Sequence, residues 1–151
     1  MAVALLPNVE DCNCYAIRAA ARHVTQCYDQ FLAPTRLRTT QFSILAKLKR
    51  RGPLTISELA DEMAMDRTTL GRNILPLHRD RLMRIKPAAS DRRKKVLRLT
   101  KAGEQRFEAA WRGWSTAQAR FEKVFGAGRA AELRVLLRAV VECTTDPLSE
   151  P

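Results

Sequence analysis

Between Leu54 and Asp80 the chain reads LTISELADEMAMDRTTLGRNILPLHRD, two short amphipathic helices with room for only a tight turn between them. Thr55 followed three residues later by Glu58 fits a capping box, which satisfies two backbone N–H groups left without partners at a helix start. Leu59, Ala60 and Met63 are expected to face inward. The Ala64–Asp66 stretch is the turn, and Asp66 is the natural cap of the second helix. There Leu70, Ile74 and Leu77 recur at i, i+4 and i+7, one buried stripe. Thr68, Arg72 and Arg79 then point the other way, with Gly71 at the edge of that outward face, where a missing side chain lets a partner approach the backbone.

Two segments that alternate apolar and basic residues follow, LMRIKP and KVLRLT, each reading as a half-buried strand. AASDRR between them is the loop of a two-stranded ribbon. Four consecutive cations, Arg92 to Lys95, sit at its tip and on its return strand. Like charges so close repel, so their placement at the mouth of a strand implies that a polyanion is expected there. The net charge of +11 is concentrated in the same region: residues 66–100 carry +8, against −1 for residues 1–35 and +1 for residues 101–151. A focused block of this kind fits a surface that docks on phosphate better than general stickiness does.

The flanks are helical. Residues 8–33 read as one long helix capped by Asp11 and ended by Pro34, with an apolar stripe from Tyr15 to Leu32. TTQFSILAKLKR is a second helix, followed by a turn at Arg51–Pro53. Thr100 can cap a helix from Lys101 to about Phe125, whose stripe is Phe107, Trp111, Trp114, Phe121 and Phe125. That stripe reads as core or subunit interface, or as the lining of a ligand pocket. Gly126 and Gly128 are expected to break it before a last helix, Arg129–Cys143, and the tail TTDPLSEP reads as loose.

Two helices and a tight turn followed by a basic ribbon make a winged helix-turn-helix. The second helix fits the major groove of duplex DNA, where each base pair shows a distinct donor and acceptor pattern. The basic hairpin reaches phosphates or the minor groove alongside. The fold class is therefore mainly α with a small β-ribbon wing. Residues 36–100 form the DNA-binding lobe, and residues 8–35 and 101–145 form a helical dimerisation region, all in one continuous domain. With 151 residues a single core is expected.

SDRRKKVLRLT resembles the wing signature of MarR-type regulators, Asp-x-Arg and, after five residues, Leu-Thr, matched by Asp91, Arg93, Leu99 and Thr100. LTISELADEMAMDRTTLGRNILPL resembles their helix-turn-helix, and the order of elements agrees along nearly the whole chain. The resemblance implies a homodimeric transcription regulator, often a repressor, responsive to a ligand or an oxidant and built around a dimer of the terminal helices. It implies that Arg93 is the wing-tip arginine of the minor groove and Asp91 its brace, that Arg72 contacts bases or phosphates, and that Arg67, Thr68, Thr69 and Asn73 are further groove residues. Arg92 and Lys94 join them as phosphate contacts. The partners expected are a near-palindromic double-stranded operator, a second copy of the chain, and a small aromatic or apolar effector. Two departures stand out. Arg81 occupies a position where the family often has Gly, at a cost of about 1 kcal/mol if φ stays positive. Pro76 lies inside the recognition helix and should kink it.

NCYAIRAAARHVTQCYDQFL resembles the first helix of the organic-peroxide-sensing branch of the family. Cys14 falls on its sensing cysteine and Tyr28 on one of two activating tyrosines, while the other falls on Thr39 and an apolar-aromatic position on Arg18. Cys14 and Tyr28 are thus a candidate redox sensor, with packing near the helix start as the plain reading of Cys14. Cys12 and Cys14 are expected to diverge on one helix and to form neither chelate nor disulfide. His23 and His78 are isolated, so no metal site is expected, and no cofactor. No paired-carboxylate, Gly-rich phosphate-loop or nucleophile motif points to an enzyme. No apolar run approaches a membrane span, and the N-terminus lacks the basic region of a signal peptide, so a cytoplasmic protein with reduced thiols is expected. The competing reading is a winged-helix module that binds RNA or protein without sequence-specific DNA readout.

Overall fold

The computed structural model describes residues 8–143. In chain order the elements are α1 (Asn13–Leu32), α2 (Thr39–Arg51), β1 (Leu54–Thr55), α3 (Ile56–Glu62), α4 (Arg67–Arg79), β2 (Met83–Pro87), β3 (Lys95–Leu99), α5 (Lys101–Phe125) and α6 (Ala127–Cys143). The fold class is as expected, mainly helical with a small wing. The tail TTDPLSEP, expected to be loose, lies outside the described residues, as do residues 144 and 145 of the expected dimerisation region.

The α1 start differs from expectation. Cys12 is extended (φ −81°, ψ 116°) and interrupts the helix, so Val9–Asp11 forms a separate 3-10 turn. Asp11 caps nothing; Asn8 accepts from the Glu10 N–H at 3.4 Å instead. Cys12 also lies outside α1, so the argument that put both thiols on one helix does not hold. At the other end Pro34 sits in a second 3-10 turn, Ala33–Thr35, closed by Arg36 in the left-handed region.

The lobe is assembled around leucines. Leu45 of α2, Leu59 of α3, Leu70 and Leu77 of α4, and Leu97 of β3 are all within 1% of full burial. Burying each contributes about 1.5–3 kcal/mol over leaving it exposed. The expected stripe of α4, Leu70, Ile74 and Leu77, is buried as a set. The helix runs on through Pro76 to Arg79. The sheet has three strands, not two, in the order β1-β3-β2, because Leu54 and Thr55 pair with Leu97 and Val96. In β2–β3 the register sets Met83 against Leu99 and Ile85 against Leu97 on the core side, and Arg84 against Arg98 on the outer side. Arg81, just before β2, does adopt φ 59°, where an L side chain costs about 1–2 kcal/mol.

The face of α5 that is wholly buried is small rather than aromatic: Gly103, Ala110 and Ala117, seven residues apart. Backbones come close there. A Cβ on Gly103 would overlap the Leu82 carbonyl, and one on Gly113 would overlap that of Phe31 on α1. Of the expected stripe, Phe107 and Trp114 stack on Phe42 with centroids 5.2 and 5.8 Å away, while Trp111 stays 49% exposed. Gly126 (φ 97°) ends α5, but α6 begins at Ala127, so Gly128 is a first-turn residue and not a breaker. Within one chain α6 buries only Ala130; Leu136, Leu137, Val140 and Val141 are exposed.

Candidate nucleic-acid interface

The outward face of α4 is presented by its N-terminal cap. Asp66 accepts from the Thr69 N–H at 2.8 Å and from the Thr69 hydroxyl at 2.6 Å, and these bonds hold its carboxyl below the ordinary value. At the start of α3, Glu58 accepts from the Thr55 N–H at 2.7 Å and from its hydroxyl at 2.8 Å, the expected capping box. Its carboxyl is lowered first by the Thr55 N–H, then by the Thr55 hydroxyl, with Lys94 and Arg51 adding to the effect. Lys94 of the ribbon therefore lies within electrostatic reach of the helix-turn-helix.

Arg67, Thr68 and Arg72 are exposed, and among the described residues their side chains make no hydrogen bond or ion pair. Thr69 and Asn73 are already engaged: the Thr69 hydroxyl by Asp66, and the Asn73 amide by the Thr69 carbonyl at 2.9 Å. Of the five groove residues expected on α4, three are free to reach a ligand and two spend donors on the helix itself. Nothing lies within 4 Å of a Cβ placed on Gly71, so the outward edge is open there.

At the ribbon tip Asp91 accepts from the Arg93 backbone N–H at 3.0 Å and from its guanidinium at 3.4 Å. The Arg93 side chain is nevertheless 93% exposed. Lys94 N–H donates to the Asp91 carbonyl at 3.0 Å, and Ala88 N–H to the Lys94 carbonyl at 2.8 Å, closing the loop. The tip thus presents Arg92, Arg93 and Lys94 to solvent on a defined turn, with Arg93 aimed by Asp91. Sequence reading overlooked Arg84 and Arg98, whose shared face follows once two alternating strands are put in register.

Cys14 and Tyr28 are not brought together within the chain; fourteen residues of helix separate them by about 21 Å. All four cysteines are exposed thiols. The Tyr28 hydroxyl donates to Gln118 at 2.7 Å, Gln118 donates to Glu122 at 2.7 Å, and Arg134 of α6 donates to Glu122 at 3.3 Å. Burial first, and Glu122 second, push the Tyr28 hydroxyl pKa up, with Arg134 opposing. Thr39 bonds Asp29. His23 Nε2 lies 4.0 Å from Cys27 Sγ, and His78 lies 3.3 Å from the Met83 carbonyl. Among the described residues no three His, Cys, Asp or Glu side chains gather to hold a metal, and no helix is long and apolar enough to cross a membrane.

Comparison with known proteins places this geometry. Residues 37–95 match the model of the MarR family. The crystal structure of the M. tuberculosis transcriptional regulator MosR is 34% identical, with 90% of this chain and 99% of that chain covered and a TM-score of 0.77. MosR in complex with DNA is 36% identical over 88% and 98% of the two chains, also with a TM-score of 0.77. The HTH-type transcriptional repressor NicR of Pseudomonas putida is 28% identical over 95 residues, which are 63% of this chain and 60% of that protein's length. The match to the family model lies on the lobe that carries the open α4 face and the braced wing tip, and the likeness to MosR extends it to the flanking helices; the chain belongs to the MarR family of winged helix-turn-helix transcriptional regulators.

Proposed function

We propose that the protein is a homodimeric, sequence-specific duplex-DNA-binding regulator, a repressor in its default mode, released from its operator by a small effector. The observation that carries this is the pairing of an open α4 face, with Arg67, Thr68 and Arg72 unengaged, and a wing tip whose Arg93 is aimed by Asp91. One element fits the major groove and the other the adjacent minor groove. MosR bound to DNA and NicR as a repressor support the same reading. The dimer rests on the exposed apolar residues Val135, Leu136 and Leu137 of α6 together with Tyr15 and Ile17 of α1, more exposed apolar surface than a lone chain usually carries. Two-fold symmetry then makes the operator a near-palindrome with half-sites about one helical turn apart.

Release is assigned to a small planar or apolar ligand. A groove of about 620 Å³ between α2, α3 and α5 has Phe42, Trp111 and Trp114 in its wall, with Arg50 beside them and Lys47 and Arg51 paired to Glu62 at its edge. Oxidation of Cys14 is the competing trigger. It requires the thiol to meet Tyr28 across a dimer, and the Tyr28 hydroxyl is already spent on Gln118. Selection of bound duplexes from a random pool tests the function: recovery of one two-fold-related motif supports it, and equal retention of all sequences, or of RNA, overturns it.

A further inference from the structure

Four cations gather at the root of the ribbon, the end away from its tip, and none of them belongs to the contacts expected from sequence. Arg84 stands directly opposite Arg98 in the β2–β3 register. Like charges so opposed weaken a strand pair. Arg81 holds a left-handed φ of 59°, which Gly would adopt with less strain. Lys101 is the first residue of α5, where the helix dipole disfavours a cation. Among the described residues none of the four makes an ion pair.

Hydrogen bonds tie the exit from α4 to the start of α5, and the strand register sets Arg98 beside Arg84. The Thr100 hydroxyl donates to the Arg81 carbonyl at 2.7 Å, and the Thr100 N–H donates to the Leu82 carbonyl at 3.1 Å. His78, Arg81, Arg84, Thr100 and Lys101 line a single groove of about 350 Å³. Three separate local choices are thus unfavourable in three different ways, and each adds positive charge to one place. A chain whose local preferences all agreed with its fold would carry neutral residues there.

We propose that the ribbon root is a second phosphate-binding surface, which holds backbone phosphates flanking the operator, apart from the step entered by Arg93. The proposal rests on the DNA reading above. Guanidinium groups grip phosphate oxygens in a bidentate manner and read no sequence in doing so. From Arg84 to Pro87 the strand alone spans about 10 Å, so root and tip address different parts of the duplex. The contacts add affinity and salt dependence without adding base preference.

The test uses the full chain and a duplex recovered by selection, bare or lengthened by about ten base pairs on each side. Binding is titrated across a range of salt concentrations for wild type, for Arg84→Gln/Arg98→Gln and for Arg84→Lys/Arg98→Lys. Wild type should bind the lengthened duplex several-fold more tightly. The glutamine pair should lose that gain, and its log K against log salt should be shallower by about two, near 0.9 for each phosphate contact. Its base preference should stand, and its melting temperature should equal or exceed that of wild type, because the opposed charges are gone. The lysine pair should keep most of the salt slope. An unchanged slope and flank response in the glutamine pair overturn the proposal, as does an equal loss of slope in the lysine pair. Failure of wild type to bind any duplex would overturn the DNA reading first and the root surface with it.

Discussion

Asp29 of α1 accepts both the backbone N–H and the hydroxyl of Thr39, the first residue of α2, at 2.6 and 2.7 Å. The residue before it, Arg38, has no acceptor to offer its own helix; Gln41 of α2 reaches back to the Arg38 N–H at 3.0 Å, and the Thr39 N–H is satisfied from α1. A carboxylate at this end also meets the favourable end of the helix dipole. Asp29→Ala should therefore cost about 1–2 kcal/mol in urea denaturation, and Asp29→Asn, which still accepts, distinctly less.

The close approach of α5 to α1 sets a contrast between two glycines. Gly113→Ala drives a methyl into the Phe31 carbonyl and should destabilise by about 1–3 kcal/mol. At Gly128, inside the first turn of α6, a Cβ meets nothing. Gly128→Ala should be neutral or stabilising by up to about 1 kcal/mol. Thermal melts of the two variants check both signs.

Binding should separate the wing-tip cations. Arg93→Ala should weaken operator binding about tenfold or more, because an ordered, aimed contact is lost. Lys94→Ala should cost less and make the salt slope shallower by about one. Equal losses in a mobility-shift titration would count against the distinction.

On α4, Arg72→Ala should lower affinity for the selected site more than for random duplex. A uniform loss would make Arg72 a phosphate clamp only.

Acid should loosen the helix-turn-helix first. The folded-state carboxyls of Glu58 and Asp66 lie below their ordinary values of 4.5 and 3.8. Their stabilisation is complete above those values and fades as pH falls through the lower, folded ones. Protection from hydrogen exchange at the starts of α3 and α4, taken relative to the intrinsic rate at each pH, should fall below about pH 4. In Glu58→Gln/Asp66→Asn that acid step should vanish.

The trigger is open to a direct comparison. A stoichiometric organic hydroperoxide added to the DNA complex should leave wild type and Cys14→Ser alike. Release of wild type alone would return the switch to the thiol.

The readable parts of this sequence were those governed by local periodicity and capping. Leu70, Ile74 and Leu77 could be assigned to the core because they share one helix face. Thr55–Glu58 and Asp66 could be assigned as caps because their partners lie three residues away. What was hidden depends on distant partners. Asp29 caps a helix ten residues on, and β1 exists only because β3 lies beside it. The aromatic stripe of α5 drew attention from Gly103 and Gly113, whose value is the lack of a side chain opposite a carbonyl. Asp11 misled because an extended Cys12 cuts the helix short. At the candidate interface, the bracing of Arg93 by Asp91 was implied by the family resemblance of the wing, whereas the facing pair Arg84 and Arg98 needed the register.

Thr100 uses one hydroxyl twice, accepting the Gly103 N–H at 3.0 Å and donating to the Arg81 carbonyl at 2.7 Å. The first turn of α5 and the exit from α4 are thereby joined by a rivet rather than by slack chain. At this joint the start of α5 and the end of α4 have no loose loop between them. Thr100→Val would remove the hydroxyl half of that joint and leave the backbone N–H bond to the Leu82 carbonyl, 3.1 Å, as the remaining tie.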